Sequence, residues 1–191
     1  MKKHLSIIVA IMLGLTLLSG CGKSTAPISA NTVNIDGKEY SMPIAVSELL
    51  NDGWTIAEDK LAVEYEPGYE IEGGSTAIKK SDTDKFFIRG VYNDSDETKT
   101  LAECKISGIQ ATFSVAGDLK LGLVCGVSEK STYDEVLKAF GDPENTTTFK
   151  RGRKDEKSLA YDIQNDSKLN YNFNFAEDGA PSSFVVEVSS D

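Results

Sequence analysis

Three cysteines and two groups of carboxylates are the side chains of this 191-residue sequence best placed to do chemistry. Cys21 stands where Leu15-Thr16-Leu17-Leu18-Ser19-Gly20 gives way abruptly to Gly22-Lys23-Ser24-Thr25. Glu64, Glu66, Glu70 and Glu72 gather around Pro67-Gly68, and Asp94, Asp96 and Glu97 form a second acidic stretch. Paired carboxylates can run glycoside hydrolysis, but that chemistry also needs a shaped sugar cleft, which no segment announces. Solvated acidic loops are the ordinary expectation for both groups. The single histidine is His4. Without another, no Ser-His or Cys-His nucleophile pair and no His-containing zinc site can be drawn. No serine stands three residues before a lysine, which removes the Ser-x-x-Lys acyl-transfer motif. The glycine-containing spacing of a calcium loop cannot be laid over Asp94-Ser95-Asp96-Glu97. Gly22-Lys23-Ser24 looks like the end of a phosphate-binding loop, yet Leu17 occupies the position of its first glycine. The chain is therefore expected to be no enzyme and to hold no metal or cofactor.

The segment before Cys21 decides where the chain works. Met1-Lys2-Lys3-His4 is basic, and Leu5 to Leu18 is apolar except for Ser6, Gly14 and Thr16. That apolar run is shorter than the roughly 20 residues of a spanning helix. It ends in the small residues Ser19 and Gly20, as a cleaved secretory signal does. Leu18-Ser19-Gly20-Cys21 resembles the lipobox of bacterial lipoproteins. The resemblance implies cleavage before Cys21, a diacylglyceryl group on its thiol and acylation of the new amino terminus. Two or three acyl chains hold a protein stably on a bilayer, at about 0.8 kcal/mol per buried methylene. Residues 1–20 are thus expected to be a signal peptide and 21–31 a lipidated tether, rich in Gly, Ser, Thr, Ala and Pro. The expected location is the outer face of the cell membrane, with the lipid bilayer as one partner.

Without residues 1–20 the chain keeps 18 Lys and Arg against 30 Asp and Glu. So acidic a balance argues against nucleic acid and favours solubility and cationic partners. In an exported chain the remaining pair, Cys104 and Cys125, reads either as a disulfide or as two small buried side chains. A bridge closing about 20 residues would stabilise the fold by roughly 3 kcal/mol. Spacing alone leaves both readings open.

The elements that must position any site are mostly strands. Thr32 to Tyr40 alternates around Asp36-Gly37, a strong hairpin signal. A short helix follows, with Val46 as staple, Ser47 as cap, Glu48 to Asp52 as the turn and Gly53 as the stop. Strands are expected at Ser75 to Lys80, Asp84 to Tyr92 and Leu101 to Val115. In the last, Ile109, Ala111, Phe113 and Val115 point one way and Gln110, Thr112 and Ser114 the other. A second helix spans Tyr133 to Phe140, with a capping box from Ser131 and Asp134 and an apolar stripe of Tyr133, Val136, Leu137 and Phe140. Gly141 and Pro143 end it. Three more strands are expected at Leu159 to Gln164, Leu169 to Ala176 and Ser183 to Ser189.

This order gives an α+β, strand-rich fold of two tandem units, each a short helix packed on antiparallel sheet, at 32–115 and 116–191. The second unit, on Gly126-Val127-Ser128, Glu135-Val136-Leu137 and Gly141-Asp142-Pro143, resembles outer-membrane assembly lipoproteins (SmpA/BamE-like) and beta-lactamase-inhibitor-like modules. The whole chain resembles the small secreted lipoproteins of low-GC Gram-positive bacteria. These resemblances imply protein binding without catalysis. Helices on one side of a sheet leave the other side wet, and that side is expected to show Gln110, Thr112, Asp162, Gln164, Asn170, Asn172, Asn174 and Glu187. An amide-rich face of this kind resembles adaptable recognition surfaces. The expected function is a membrane-anchored protein-binding or envelope-assembly module with an unknown protein partner. The alternatives are a carboxylate-dependent enzyme on envelope polymers and a solute-capturing lipoprotein, although two lobes around a cleft usually need a longer chain.

Overall fold

The computed structural model describes residues 31–113, 119–123, 126–151, 154–164 and 168–189. The signal peptide, Cys21, the tether up to Ala30, Ser114, Val115, Cys125 and the expected boundary at 115/116 lie outside them. The first hairpin is β1 (Thr32–Ile35) and β2 (Lys38–Ser41). Asp36 and Gly37 have φ of 54° and 87°, the two left-handed residues that a tight hairpin turn needs. Then come β3 (Ile44–Ala45), α1 (Val46–Asn51) and α2 (Glu58–Leu61). The next strands are β4 (Glu64–Tyr65), β5 (Gly68–Ile71), β6 (Ala77–Lys79), β7 (Lys85–Asn93) and β8 (Lys99–Thr100). A 3-10 turn (Leu101–Glu103) leads into β9 (Lys105–Thr112) and β10 (Leu121–Leu123). The remainder is α3 (Tyr133–Phe140), β11 (Asn145–Arg151), β12 (Lys154–Gln164), β13 (Lys168–Phe175) and β14 (Pro181–Ser189).

One large antiparallel sheet dominates. Its order is β11-β12-β13-β14-β9-β7-β5, with β3 beside β9 and β6 beside β7. The two halves of the sequence meet in this sheet through β14 and β9, and a smaller sheet, β10-β1-β2, joins them a second time. Strand alternation supplies the inner face. Ile88, Ile109, Val186, Tyr171 and Tyr161 lie in register across five neighbouring strands, and all are buried. α3 lies on this side: Phe140 packs 5.1 to 5.5 Å from the rings of Tyr161, Tyr171 and Phe173, and Tyr133 meets Phe175 edge-on. At the other end Trp54, just past α1, meets Phe86 at 5.0 Å.

Several expectations are corrected here. α1 begins at Val46, its N-cap is Ala45 without a side-chain bond, and Ser47 is inside the helix. The strand expected from Leu101 starts only at Lys105. Thr100 and Glu103 form a capping box instead, with Glu103 accepting from the Thr100 backbone and hydroxyl at 3.2 and 2.9 Å. The box of α3 is one residue later than expected, Thr132 with Glu135. Glutamate has the extra methylene needed to reach back to the cap amide, and aspartate at 134 does not. Ser131 accepts from the Ser128 amide at 3.0 Å. Leu137 is only partly buried, and Val136 is the buried residue of the helix.

Candidate functional site

The side of the large sheet away from α3 is built in three successive rows, fixed by strand register. Across the first, Gly90, Gly108, Glu187, Asn170 and Asp162 stand side by side on β7, β9, β14, β13 and β12. The second runs Phe87, Gln110, Val185, Asn172, Ala160 and Asn145. The third runs Thr112, Ser183, Asn174, Ser158 and Thr147. Seven of the eight residues expected on this face therefore occupy adjacent register positions, and Gln164 follows opposite Lys168. The side chains of Asp162 and Gln164 lie outside the described set.

The face is drier than the sequence leads one to expect. Gln110, Thr112, Asn170, Asn172, Asn174 and Glu187 are all half-buried. Part of the amide chemistry is used within the sheet. Ser158 donates to Asn172 Oδ1 at 3.0 Å, and Asn174 Nδ2 donates to Ser183 Oγ at 2.9 Å. These contacts fix amide orientation, so the expectation of freely exposed side chains does not hold.

Arg89 and two glycines complete the centre. Arg89 sits at an irregularity of β7, where the pairing with β9 shifts between Ile88 and Gly90. Its half-buried side chain runs beside Gly74 and near Gln110: a Cβ on Gly74 would lie 3.2 Å from Gln110 Oε1 and 3.5 Å from Arg89 Cδ. The Arg89 Nε is buried and has no hydrogen-bond partner among the described residues. Glu187 lies over Gly90 and Gly108. A Cβ on Gly108 would come within 3.0 Å of Glu187 Cγ, and one on Gly90 within 3.3 Å of its Oε1. Only glycine leaves space for that carboxylate at the sheet surface. Burial raises the Glu187 pKa above the ordinary 4.5, and the positive charge of Arg89 works in the opposite direction. Toward β5 the face ends in Tyr69 stacked on Tyr92, centroids 4.1 Å apart.

Arg89, Phe87 and the glycines are not among the residues expected on this face. The signal was present, since Phe86 and Ile88 alternate with Phe87 and Arg89, and a glycine inside a strand marks close approach. Several of the acidic side chains are engaged in local contacts. Tyr65 donates to Glu72 at 2.5 Å, and Thr98 donates to Glu66 at 3.2 Å. Asn93, 2% exposed, organises the second group. Its Nδ2 donates to the carbonyls of Tyr65 and Glu97 at 2.9 and 2.8 Å, and its Oδ1 accepts from the Ser95 amide and hydroxyl. Asp94 is held by Lys105 at 2.5 Å, which keeps its carboxyl below the ordinary range. Among the described residues no three His, Cys, Asp or Glu side chains gather as metal ligands. Cys104 is a free, buried thiol whose pKa burial pushes up, and its candidate partner Cys125 lies outside the described residues.

The inner side of the sheet offers a crevice between Leu121, Leu123, Val127, Val136, Phe173 and Phe184 of about 10 Å³, room for one water at most. It is a packing gap. Comparison with known proteins finds no matching family model, no similar curated protein and no similar solved structure.

Proposed function

We propose that this chain is a lipid-anchored extracytoplasmic binding module, held on the outer face of the membrane through Cys21, whose amide-rich sheet face captures a protein partner. The observation that carries the reading is Arg89. A guanidinium with a buried, unpartnered Nε is unfavourable in the free protein, since a buried donor without an acceptor costs roughly 1–3 kcal/mol. It lies beside a Glu187 carboxylate that is itself partly desolvated. Groups kept at such a cost on a face, ringed by Gln110, Asn170 and Asn172, are suited to a partner that supplies the missing acceptor. The lipobox resemblance supports the location, and the likeness of the second half to beta-lactamase-inhibitor-like modules supports protein binding through a sheet. The finer reading, two related helix-on-sheet units, is supported by the order of α1 before β7 and β9 and of α3 before β12 to β14.

The test uses full-length chain in membranes of its native host, with a photo-crosslinking residue at Gln110. A discrete protein adduct is expected, and Arg89→Met should abolish it while leaving the melting temperature unchanged or higher, because an apolar chain of similar length removes a buried donor that has no acceptor among the described residues. An adduct of equal yield in the Arg89→Met variant would remove this face from the function. Cys21→Ala should move the folded chain from the membrane to the soluble fraction, and persistence in the membrane would refute the anchor.

A further inference from the structure

The two edges of the large sheet are built differently. At one edge β5 has four residues, β6 has three, and β5 follows Pro67 and opens on Gly68 at φ 110°. Short strands and backbone breaks are ordinary guards against an incoming strand. At the other edge β11 has seven residues and, among the described residues, pairs on one flank only, with β12. Its register runs without a shift from Asn145 opposite Ala160 to Arg151 opposite Lys154. Asn145, Thr146, Thr147, Thr148 and Lys150 are exposed, so both sides of the strand are wet. The segment contains no Pro or Gly, and carries no charge before Lys150. Three threonines and a phenylalanine in succession favour extended backbone. None of the guards seen at β5 is present from Asn145 to Phe149.

We infer that β11 is the docking edge for a second copy of this chain, the two β11 strands pairing antiparallel about a two-fold axis at Thr148. The pattern of the strand selects this occupant. With Thr148 opposite itself, Thr147 meets Phe149, Thr146 meets Lys150 and Asn145 meets Arg151. Every basic residue then faces a neutral one, and no like charges oppose. The β-branched-to-aromatic pair Thr147 with Phe149 occurs twice, and such cross-strand pairs are the stabilising unit of a sheet. Thr148 is the midpoint of the strand, so this register uses all seven residues of each copy. A strand pairing with few buried side chains is a small interface, so the association is weak and depends on concentration. Confinement of anchored copies to one membrane surface raises their effective concentration. Each anchored copy, without residues 1–20, carries 18 Lys and Arg against 30 Asp and Glu, and this shared negative charge opposes approach, so added salt should strengthen the dimer.

This inference does not rest on the partner-binding face, and Arg89→Met should leave it unaffected. The test is sedimentation velocity of the full-length chain in mild detergent. The wild type should show a reversible monomer–dimer equilibrium. Thr148→Lys and Thr148→Glu each place like charges on the axis and should weaken it at least about fivefold. Thr148 is exposed, so both should fold; Thr148→Lys stands opposite Lys157 of β12 and should melt slightly lower, whereas Thr148→Glu faces the same lysine and should melt no lower than the wild type. An equal mixture of the two variants should restore the dimer, since Lys then faces Glu. A wild type that stays monomeric at its solubility limit, charged variants that dimerise as the wild type does, or a mixture no better than either variant alone would each overturn the proposal. A monomer holding an extended peptide of another protein on β11 would overturn the choice of occupant.

Discussion

The Arg89 guanidinium stands near enough to the Glu187 carboxylate to favour its charged form, yet no ion pair joins them among the described residues. Glu187 is held down over Gly90 and Gly108, while Arg89 runs off along Gly74 and Gln110. The arrangement leaves two half-buried groups of opposite charge in one patch, and the Arg89 Nε has no acceptor among the described residues. Burial of a charge without its partner raises the free energy of the folded state, and four expectations follow from the neighbourhoods described above.

Glu187 should give stability a pH slope of unusual sign for a carboxylate. Its pKa is raised in the folded state by burial, so the folded chain holds its proton longer than the unfolded chain does. Below the ordinary value of 4.5 both states are protonated and no penalty exists. As pH rises from 4.5 through the raised pKa, the unfolded state ionises first and the native state loses stability. Melting temperatures of wild type and Glu187→Gln from acid to neutral pH should diverge in that window, with the Gln variant gaining relative to wild type as pH rises. Parallel curves would mean the carboxylate is solvated after all.

Gly90→Ala should be destabilising and specifically repairable. Its Cβ would stand 2.5 Å from the hydroxyl of Ser107, which is 2% exposed. Overpacking of this kind costs about 1–3 kcal/mol. Ser107→Ala removes the obstructing atom, so the double variant should recover most of the loss in a urea-denaturation cycle. Gly108→Ala meets the Gly90 backbone nitrogen at 3.0 Å, so Ser107→Ala should not repair it. Strict additivity of Gly90→Ala and Ser107→Ala would contradict the contact.

Asn93→Ala should loosen the whole corner between β4 and the acidic loop. The substitution strands the Tyr65 carbonyl and the Ser95 amide, whereas the Ser95 hydroxyl and the Glu97 carbonyl keep their bond to each other at 2.7 Å. Orphaning buried polar groups at 1–3 kcal/mol each places the loss at about 2–4 kcal/mol. Equilibrium denaturation measures it. A loss below about 1 kcal/mol would show water taking the place of the amide.

In α3 the order of sensitivities should be Val136 before Leu137. Val136 is 1% exposed, whereas Leu137 only flanks the core. Val136→Ala should therefore cost about 2 kcal/mol, from two buried methyl-sized groups and the space they leave. Leu137→Ala should cost less. Thr132→Ala should cost about 1 kcal/mol through loss of the cap. Thermal shifts in the reverse order would place the helix in a different rotation on the sheet.

The strands best read from sequence are those whose alternation carries the inner face. Leu169, Tyr171, Phe173 and Phe175 are buried as the period of two requires, and the interleaved asparagines stand on the other side. Asp36-Gly37 marked the first turn because its left-handed φ values have few other solutions. β11 escaped notice because Thr146, Thr147 and Thr148 show no alternation, and β10 because Leu121-Gly122-Leu123 is only one period long. Both are strands because of the partner they find far along the chain, which local periodicity does not encode. The site divided along the same line. Polar residues alternating with apolar ones within a strand were legible. Arg89 beside Gln110, and Glu187 over two glycines, depend on register between strands distant in sequence.

The interlocking of the two halves has a consequence for how the chain is made. Val33 of the first strand waits for Leu123, and Ile109 of β9 waits for Val186 of β14, the last strand described. Contacts so distant in sequence must be closed against a large loss of chain freedom, which makes folding slow compared with proteins of local contacts. A chain that emerges amino end first must hold β9 with one flank open until nearly all of it has emerged. During that interval the row of Ile109 and Ala111 is exposed to whatever else is nearby. The unfinished sheet is therefore the vulnerable state of the chain, and loss of β14 alone would strip a neighbour from strands of both halves.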